Sequence, residues 1–204
     1  MLALKLERVL VEKGIHYAWF MALISFFLLM FSSSAMSTPA VLMLPIIEAF
    51  GWSITDISTI IGALFIIVAV AAPFGTAFML RLGLAKIVVT SCALLIAGLG
   101  LTTFAAEKWH LFFSMGTLLK LASGILGLGF VATVATRWFA EKRGLVLGIL
   151  GASWAAVQIM VVPFITWIVS NFDWQYGVIP GVTGASICLI LYVFLERTGH
   201  QILV

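Results

Sequence analysis

The chain reads as six long apolar runs separated by short polar breaks. They cover about 17–46, 54–79, 85–106, 111–136, 144–169 and 176–195. Each is long enough to cross a bilayer as a helix, which takes roughly 20 residues. The first run carries Ser32-Ser33-Ser34 and Ser37-Thr38-Pro39 at its middle. A proline there removes a backbone hydrogen bond, which nearby hydroxyls can restore. Those hydroxyls are then either bonded to their own kinked backbone or form a polar wall on a water-filled cavity. Between runs one and two, 48–57 reads as a loop and a helix start, with Ser53 and Asp56 as a variant capping box. Glu107 to His110 and Asn171 to Gln175 form two further loops on that side, and Trp109 suits the interface belt. Residues 1–15 form a charged, mildly amphipathic segment expected on the cytoplasmic surface. Residues 16–196 form the six-helix transmembrane domain, and 197–204 a cytoplasmic tail.

Composition agrees with this pattern. The chain is 63% hydrophobic and 9% charged, with a mean hydropathy of +1.23. Soluble domains carry about a quarter charged residues, so this chain cannot cover a water-facing surface. Its partner is the lipid bilayer. The net charge of +3 is spread over separated loops rather than one patch, which argues against nucleic acid. Cys92 and Cys188 fall inside apolar runs and read as small packing residues. The first run, preceded by Lys5, Arg8 and Lys13, continues past the length of a signal-peptide core and reads as a retained span.

The distribution of Lys and Arg orients the spans. With the N-terminus inside, Lys5, Arg8, Lys13, Arg81, Lys86, Arg137, Lys142, Arg143 and Arg197 fall inside, and Lys108 outside. Short loops rich in Lys and Arg stay cytoplasmic, so both termini are expected there. The densest stretch runs from Arg137 to Gly151. Its Gly144, Gly148 and Gly151 share one face of the following helix, and such a face suits close backbone packing in lipid.

Lys120 is the one cation inside a span. It lies about ten residues into the fourth run, roughly 15 Å along a helix, near the midplane. An ionised side chain at that depth costs on the order of 3 kcal/mol on insertion scales and usually faces a cavity or a partner. Carbonyls and hydroxyls, including Ser123 and the Ser32–Ser34 cluster, are available to it. It is either solvated by cavity water or the positive charge that receives a carboxylate. Ser33, Ser37, Thr38, Ser123 and Gln158 are the other candidates for lining such a site.

Enzyme chemistry finds little support. His16, His110 and His200 lie near span ends or in the tail, and Gly151-Ala-Ser153 lacks the second glycine of an intramembrane serine nucleophile. No metal-ligand set and no cofactor motif is expected. Gly127-Leu-Gly129-Phe-Val-Ala132 matches a dinucleotide fingerprint by letter, but it follows no strand, is expected to open no helix, and reads as helix packing. A channel would need a filter-like re-entrant segment, and none is visible between the runs.

Three motifs carry a family resemblance. Phe50-Gly-Trp-Ser-Ile-Thr-Asp-Ile-Ser58 looks like a Gly-Trp-Ser entry into a second helix. Pro73-Phe-Gly75 followed by Arg81-Leu-Gly83-Leu-Ala-Lys86 looks like a Gly-x-x-x-x-Asp-Arg-x-Gly-x-x-Arg loop between helices two and three. Arg137-Trp-Phe-Ala-Glu-Lys-Arg-Gly-Leu-Val-Leu-Gly-Ile-Leu-Gly151 looks like an aromatic-Phe-x-x-Arg-Arg signature with its trailing glycines. Phe172-Asp-Trp-Gln resembles the Gly-Trp-Arg that opens a sixth helix. The chain thus resembles the N-terminal half of a major facilitator superfamily transporter, in the monocarboxylate and oxalate–formate porter group. It departs where the loop acid stands as Leu80, and where the fourth-helix arginine stands as Lys120 in Lys120-Leu-Ala-Ser-Gly124.

The resemblance implies an all-α fold and a secondary carrier for small organic anions, with or without a coupled proton or exchanged anion. Gly75, Arg81, Gly83, Lys86, Arg137, Lys142 and Arg143 would form gating and loop motifs. Helices one and four would line the path, two and five would face the other half, and three and six would lie outermost. Lys120 would have a third possible role, in conformational coupling. The superfamily has two six-helix halves with the substrate between them. A second half, as a homodimer or a separate chain, is therefore expected. The alternative is a six-helix membrane subunit or truncated remnant without transport of its own. The expected location is a bacterial inner (plasma) membrane.

Overall fold

The computed structural model describes residues 17–139 and 141–199. The amphipathic segment expected over 1–15 lies outside the described residues; of the tail expected over 197–204, residues 197–199 instead continue the last helix, Ile179–Gly199, and the rest lie outside. Among these there is no strand, and six helices are long and apolar enough to cross a membrane. They are Ala18–Phe50, Phe65–Leu82, Leu84–Thr102, Lys108–Trp138, Arg143–Asn171 and Trp174–Val193, spans one to six below.

The first helix, Tyr17–Phe50, continues through Pro39 and Pro45. Glu48 therefore lies on the helix and not in a loop, a correction to the expected break at 48. Each proline costs one backbone donor, and before Pro39 hydroxyls bond to backbone carbonyls. The Thr38 hydroxyl donates to Ser34 O at 2.8 Å and the Ser34 hydroxyl to Phe31 O at 2.7 Å. The second helix, Ile54–Leu82, starts at Ser53, whose hydroxyl accepts from Asp56 N at 3.1 Å. The Asp56 carboxylate interacts with Ser53 at this helix start and also bonds to Lys108. Gly83 alone separates this helix from the third, Leu84–Thr102. Its φ of +91° favours glycine, which turns the chain back within one residue.

Spans four and five are built from pieces. Span four runs through Lys108–Leu111, a π segment Phe112–Leu118, Leu119–Ile125, a break at Leu126 and Gly127, and Leu128–Trp138. Gly127 does open a helical piece, contrary to expectation. Of this run, only Gly129 packs against span two, where it meets the Thr76 side chain, while Leu128 is exposed. Span five runs through Arg143–Gly151, Ser153–Ala156, a π segment Val157–Val161 and Val162–Asn171.

In lipid, helices gain by packing closely rather than by leaving water, so small residues mark the seams. One seam joins spans two and four. A Cβ on Gly75 would sit 2.7 Å from Ile125 Cα, and one on Gly124 would sit 2.9 Å from Ala71 Cβ. On span six, Gly177 faces Val169 and Leu42, Gly181 faces Leu99, and Gly184 faces the Phe31 ring. The core between the spans includes Leu28, Leu95, Leu119, Phe130 and Tyr192, with Cys92 and Cys188 free and buried. Spans two and five are the least covered: in an 18-residue apolar stretch of each, 17% and 28% of the residues are buried, against 56% in spans one and four.

Candidate functional site

A polar belt crosses the bundle at mid-depth. Phe65, Met36, Lys120 and Gln158 each lie within about one turn of the middle of their own helix or span. Lys120 is fully buried. Its ammonium donates to Met36 O at 3.3 Å, lies 3.5 Å from Met36 Sδ, and stands 5.4 Å from the centre of the Phe65 ring. A carbonyl, a thioether and a ring face are all neutral. They solvate the charge without cancelling it. The described acids Glu48, Asp56, Glu107, Glu141, Asp173 and Glu196 all sit near or beyond span ends. Next to Met36, the Ser37 hydroxyl accepts from Gln158 Nε2 at 3.0 Å, which ties span one to span five. Ser33 lies one turn before Ser37 and, like it, is half-buried.

The other candidates are placed differently. Thr38 is buried, and its hydroxyl is spent on its own helix. Ser123 donates to Ser32 O at 3.2 Å, so it fastens span four to span one and does not touch Lys120 in the bonds formed here. Sequence reasoning missed Met36, Phe65 and the two π segments. One π segment ends just before Lys120 and the other contains Gln158. Such segments are rare and recur at functional sites.

The two ends of the bundle differ in charge. Arg81 and Lys86 lie exposed at one end, beside Gly83. At the same end Arg137 stands 5.8 Å from the Trp138 ring, and Arg143 Nε donates to Phe139 O at 2.9 Å. Lys142 is exposed. Phe139 is buried, and its ring meets Trp19 edge-on at 5.3 Å. Gly75 belongs to the span-two seam described above. Gly144, Gly148 and Gly151 are exposed, with open space where a Cβ would go, so the seams within this chain lie elsewhere.

At the opposite end Lys108 pairs with Asp56 at 2.5 Å and lies 6.0 Å from the Trp52 ring. Phe50 stacks on Trp52 and meets Trp174 edge-on. The hydrogen bond from Lys108, aided by Ser53, holds the Asp56 carboxyl below its ordinary range. A depressed carboxyl contributes stability above its unfolded value and loses it as pH falls through the folded one. The pair should therefore persist through neutral and mildly acid pH and open only in stronger acid. An NMR titration of Asp56 should show a midpoint that rises in Lys108→Ala; an unchanged midpoint would show that Lys108 is not the cause. Both side chains are exposed, so the effect on stability should be small.

These features define a multi-pass α-helical membrane protein with a buried cation and a polar belt at mid-depth. The family model of the Major Facilitator Superfamily matches residues 21–203, and the chain belongs to that family. Monocarboxylate transporter 13 of Rattus norvegicus is 26% identical over 176 residues, covering 85% of this chain and 40% of that protein. Monocarboxylate transporter 9 of Mus musculus is 28% identical over 162 residues, covering 72% and 30%. Monocarboxylate transporter 7 of Homo sapiens is 22% identical over 169 residues, covering 80% and 31%. The chain therefore spans well under half the length of these relatives.

Proposed function

We propose that this chain is one half of a secondary carrier for small organic anions of the monocarboxylate kind, a transporter and not an enzyme. The observation that carries the reading is the Lys120 ammonium, buried at mid-depth and held by neutral groups. A buried charge of this kind attracts a counter-ion. A carboxylate that displaced Met36 O would supply one, and Ser37 with Gln158 would offer hydrogen bonds to the rest of the molecule. The monocarboxylate transporters among its relatives support the substrate class.

Alternating access needs a second body. Spans two and five expose Phe74, Phe78, Trp154, Phe164 and Trp167, a face that suits a second six-helix half. That half would be another copy, a separate chain, or further sequence of the same one. The coupled species would be a proton or an exchanged anion. The test is uptake of labelled mono- and dicarboxylates into proteoliposomes, with and without a second half. Uptake of a monocarboxylate that requires the second half is expected. If no carboxylate is taken up, and none stabilises the purified chain, the protein is a membrane subunit without transport of its own.

The basic end is proposed to be cytoplasmic, since Lys and Arg accumulate there, in a plasma membrane such as a bacterial inner membrane. In a background lacking Cys92 and Cys188, Asp173→Cys should react with an impermeant maleimide on intact cells. Glu141→Cys should react only after permeabilisation, and the opposite order would invert the topology.

A further inference from the structure

At the basic end, spans one and five leave a groove of about 290 Å³, lined by Trp19, Ala22, Leu23, Phe26, Val146 and Ile149. Both walls run from the end of the bundle about 10 Å into the apolar layer: seven residues from Trp19 to Phe26, and six from Arg143 to Ile149. Leu23 and Ile149 are exposed along it.

The mouth of the groove is charged and held in place. Trp19, which lines the groove, meets the Phe139 ring, and Phe139 O takes the Arg143 Nε hydrogen bond. Arg143 is thus fixed beside the wall that Trp19 forms, with its terminal guanidinium nitrogens beyond that bond. Lys142 is exposed next to it. Glu141 is the acid in this loop, and Arg137 adds a third cation at the same end. The site therefore has two parts: an apolar slot perpendicular to the membrane surface, and a net positive mouth at headgroup level.

We propose that this groove holds one anionic phospholipid of the basic-side leaflet, with an acyl chain against Leu23, Phe26 and Ile149 and the phosphate on Arg143 and Lys142. Arginine binds phosphate through paired donors, and cation-lined grooves between spans suit anionic headgroups. A zwitterionic lipid offers the same phosphate but carries its own cation beside it, so the positive mouth is left unmatched. The assignment does not depend on what the chain transports.

The test is native mass spectrometry of the chain released from micelles holding equal phosphatidylglycerol and phosphatidylcholine. One phosphatidylglycerol per chain should be retained, with a preference of about thirtyfold, given two cations near the surface. Arg143→Gln combined with Lys142→Gln should bring the preference close to unity. Leu23→Trp should fill the slot and lose the lipid with the charge unchanged; Ile149→Phe does the same should Leu23→Trp fail to fold. Equal retention of both lipids would mean an ordinary lipid shell and overturn the proposal. So would a preference that survives the double charge variant, competition by glycerol phosphate alone, or a second protein copy retained in place of lipid.

Discussion

Lys120→Ala is expected to insert and fold while losing stabilisation by a bound carboxylate. Two terms set the stability of the variant. Removing an ionised side chain from mid-depth relieves a cost of about 3 kcal/mol. Truncating a fully buried side chain opens a cavity, at about 2–5 kcal/mol for large-to-small changes. The terms nearly offset, so the fold should survive, and Lys120→Met, which fills the space without charge, should be at least as stable as Lys120→Ala. Binding has no such compensation. A hydrogen bond to a charged group contributes about 1.5–3 kcal/mol, so its loss weakens binding by about ten- to a hundredfold. Lys120→Arg keeps the charge but brings a wider planar head to Met36 O and Phe65, and should keep part of the affinity. The readout is the carboxylate-induced rise in melting temperature of the purified protein, with its second half where one is present. Equal rises in wild type, Lys120→Ala and Lys120→Met would remove Lys120 from the site.

What could be read from the sequence follows from which physics leaves a mark there. Six spans are visible because a run of about 20 apolar residues matches the thickness of a bilayer and is too long for a buried core helix. Lys120 is visible because a charge within such a run is costly. The groups that solvate it are not. Met36 acts mainly through its backbone carbonyl, which every residue carries, and Phe65 looks like any lipid-facing aromatic. Gln158 and Ser37 are 121 residues apart, and nothing in their local sequence pairs them. The π segments at Phe112–Leu118 and Val157–Val161 change hydrogen-bond register without changing composition. Glycine spacing shows the limit most clearly. Gly144, Gly148 and Gly151 form a regular row on one helix, yet open space surrounds them. The close seam uses Gly75 from one helix and Gly124 from another. Spacing along a helix shows which residues share a face, and only the fold shows whether a neighbour comes there.

That difference between glycines gives the second large expected effect: Gly75→Ala should destabilise the protein, and Gly148→Ala should not. Both residues lie inside helices, where alanine is favoured over glycine by about 1 kcal/mol. At Gly148 nothing lies within 4 Å of the added Cβ, so the helix preference acts alone and the variant should gain up to that amount. At Gly75 the added Cβ would sit 2.7 Å from Ile125 Cα and 3.2 Å from Ile125 O. These are backbone atoms, and no rotamer change can move them aside. Relief requires spans two and four to separate, which also loosens the contact of Gly124 with Val68 and Ala71 along the same seam. Overpacking of this kind costs about 1–3 kcal/mol, enough to exceed the helix gain, and Gly75→Leu should cost more. Because span four carries Lys120, the same separation should also weaken carboxylate binding. Unfolding of the purified variants in detergent, followed by circular dichroism, measures the difference. A Gly75→Ala protein as stable as Gly148→Ala would show that the seam yields without penalty.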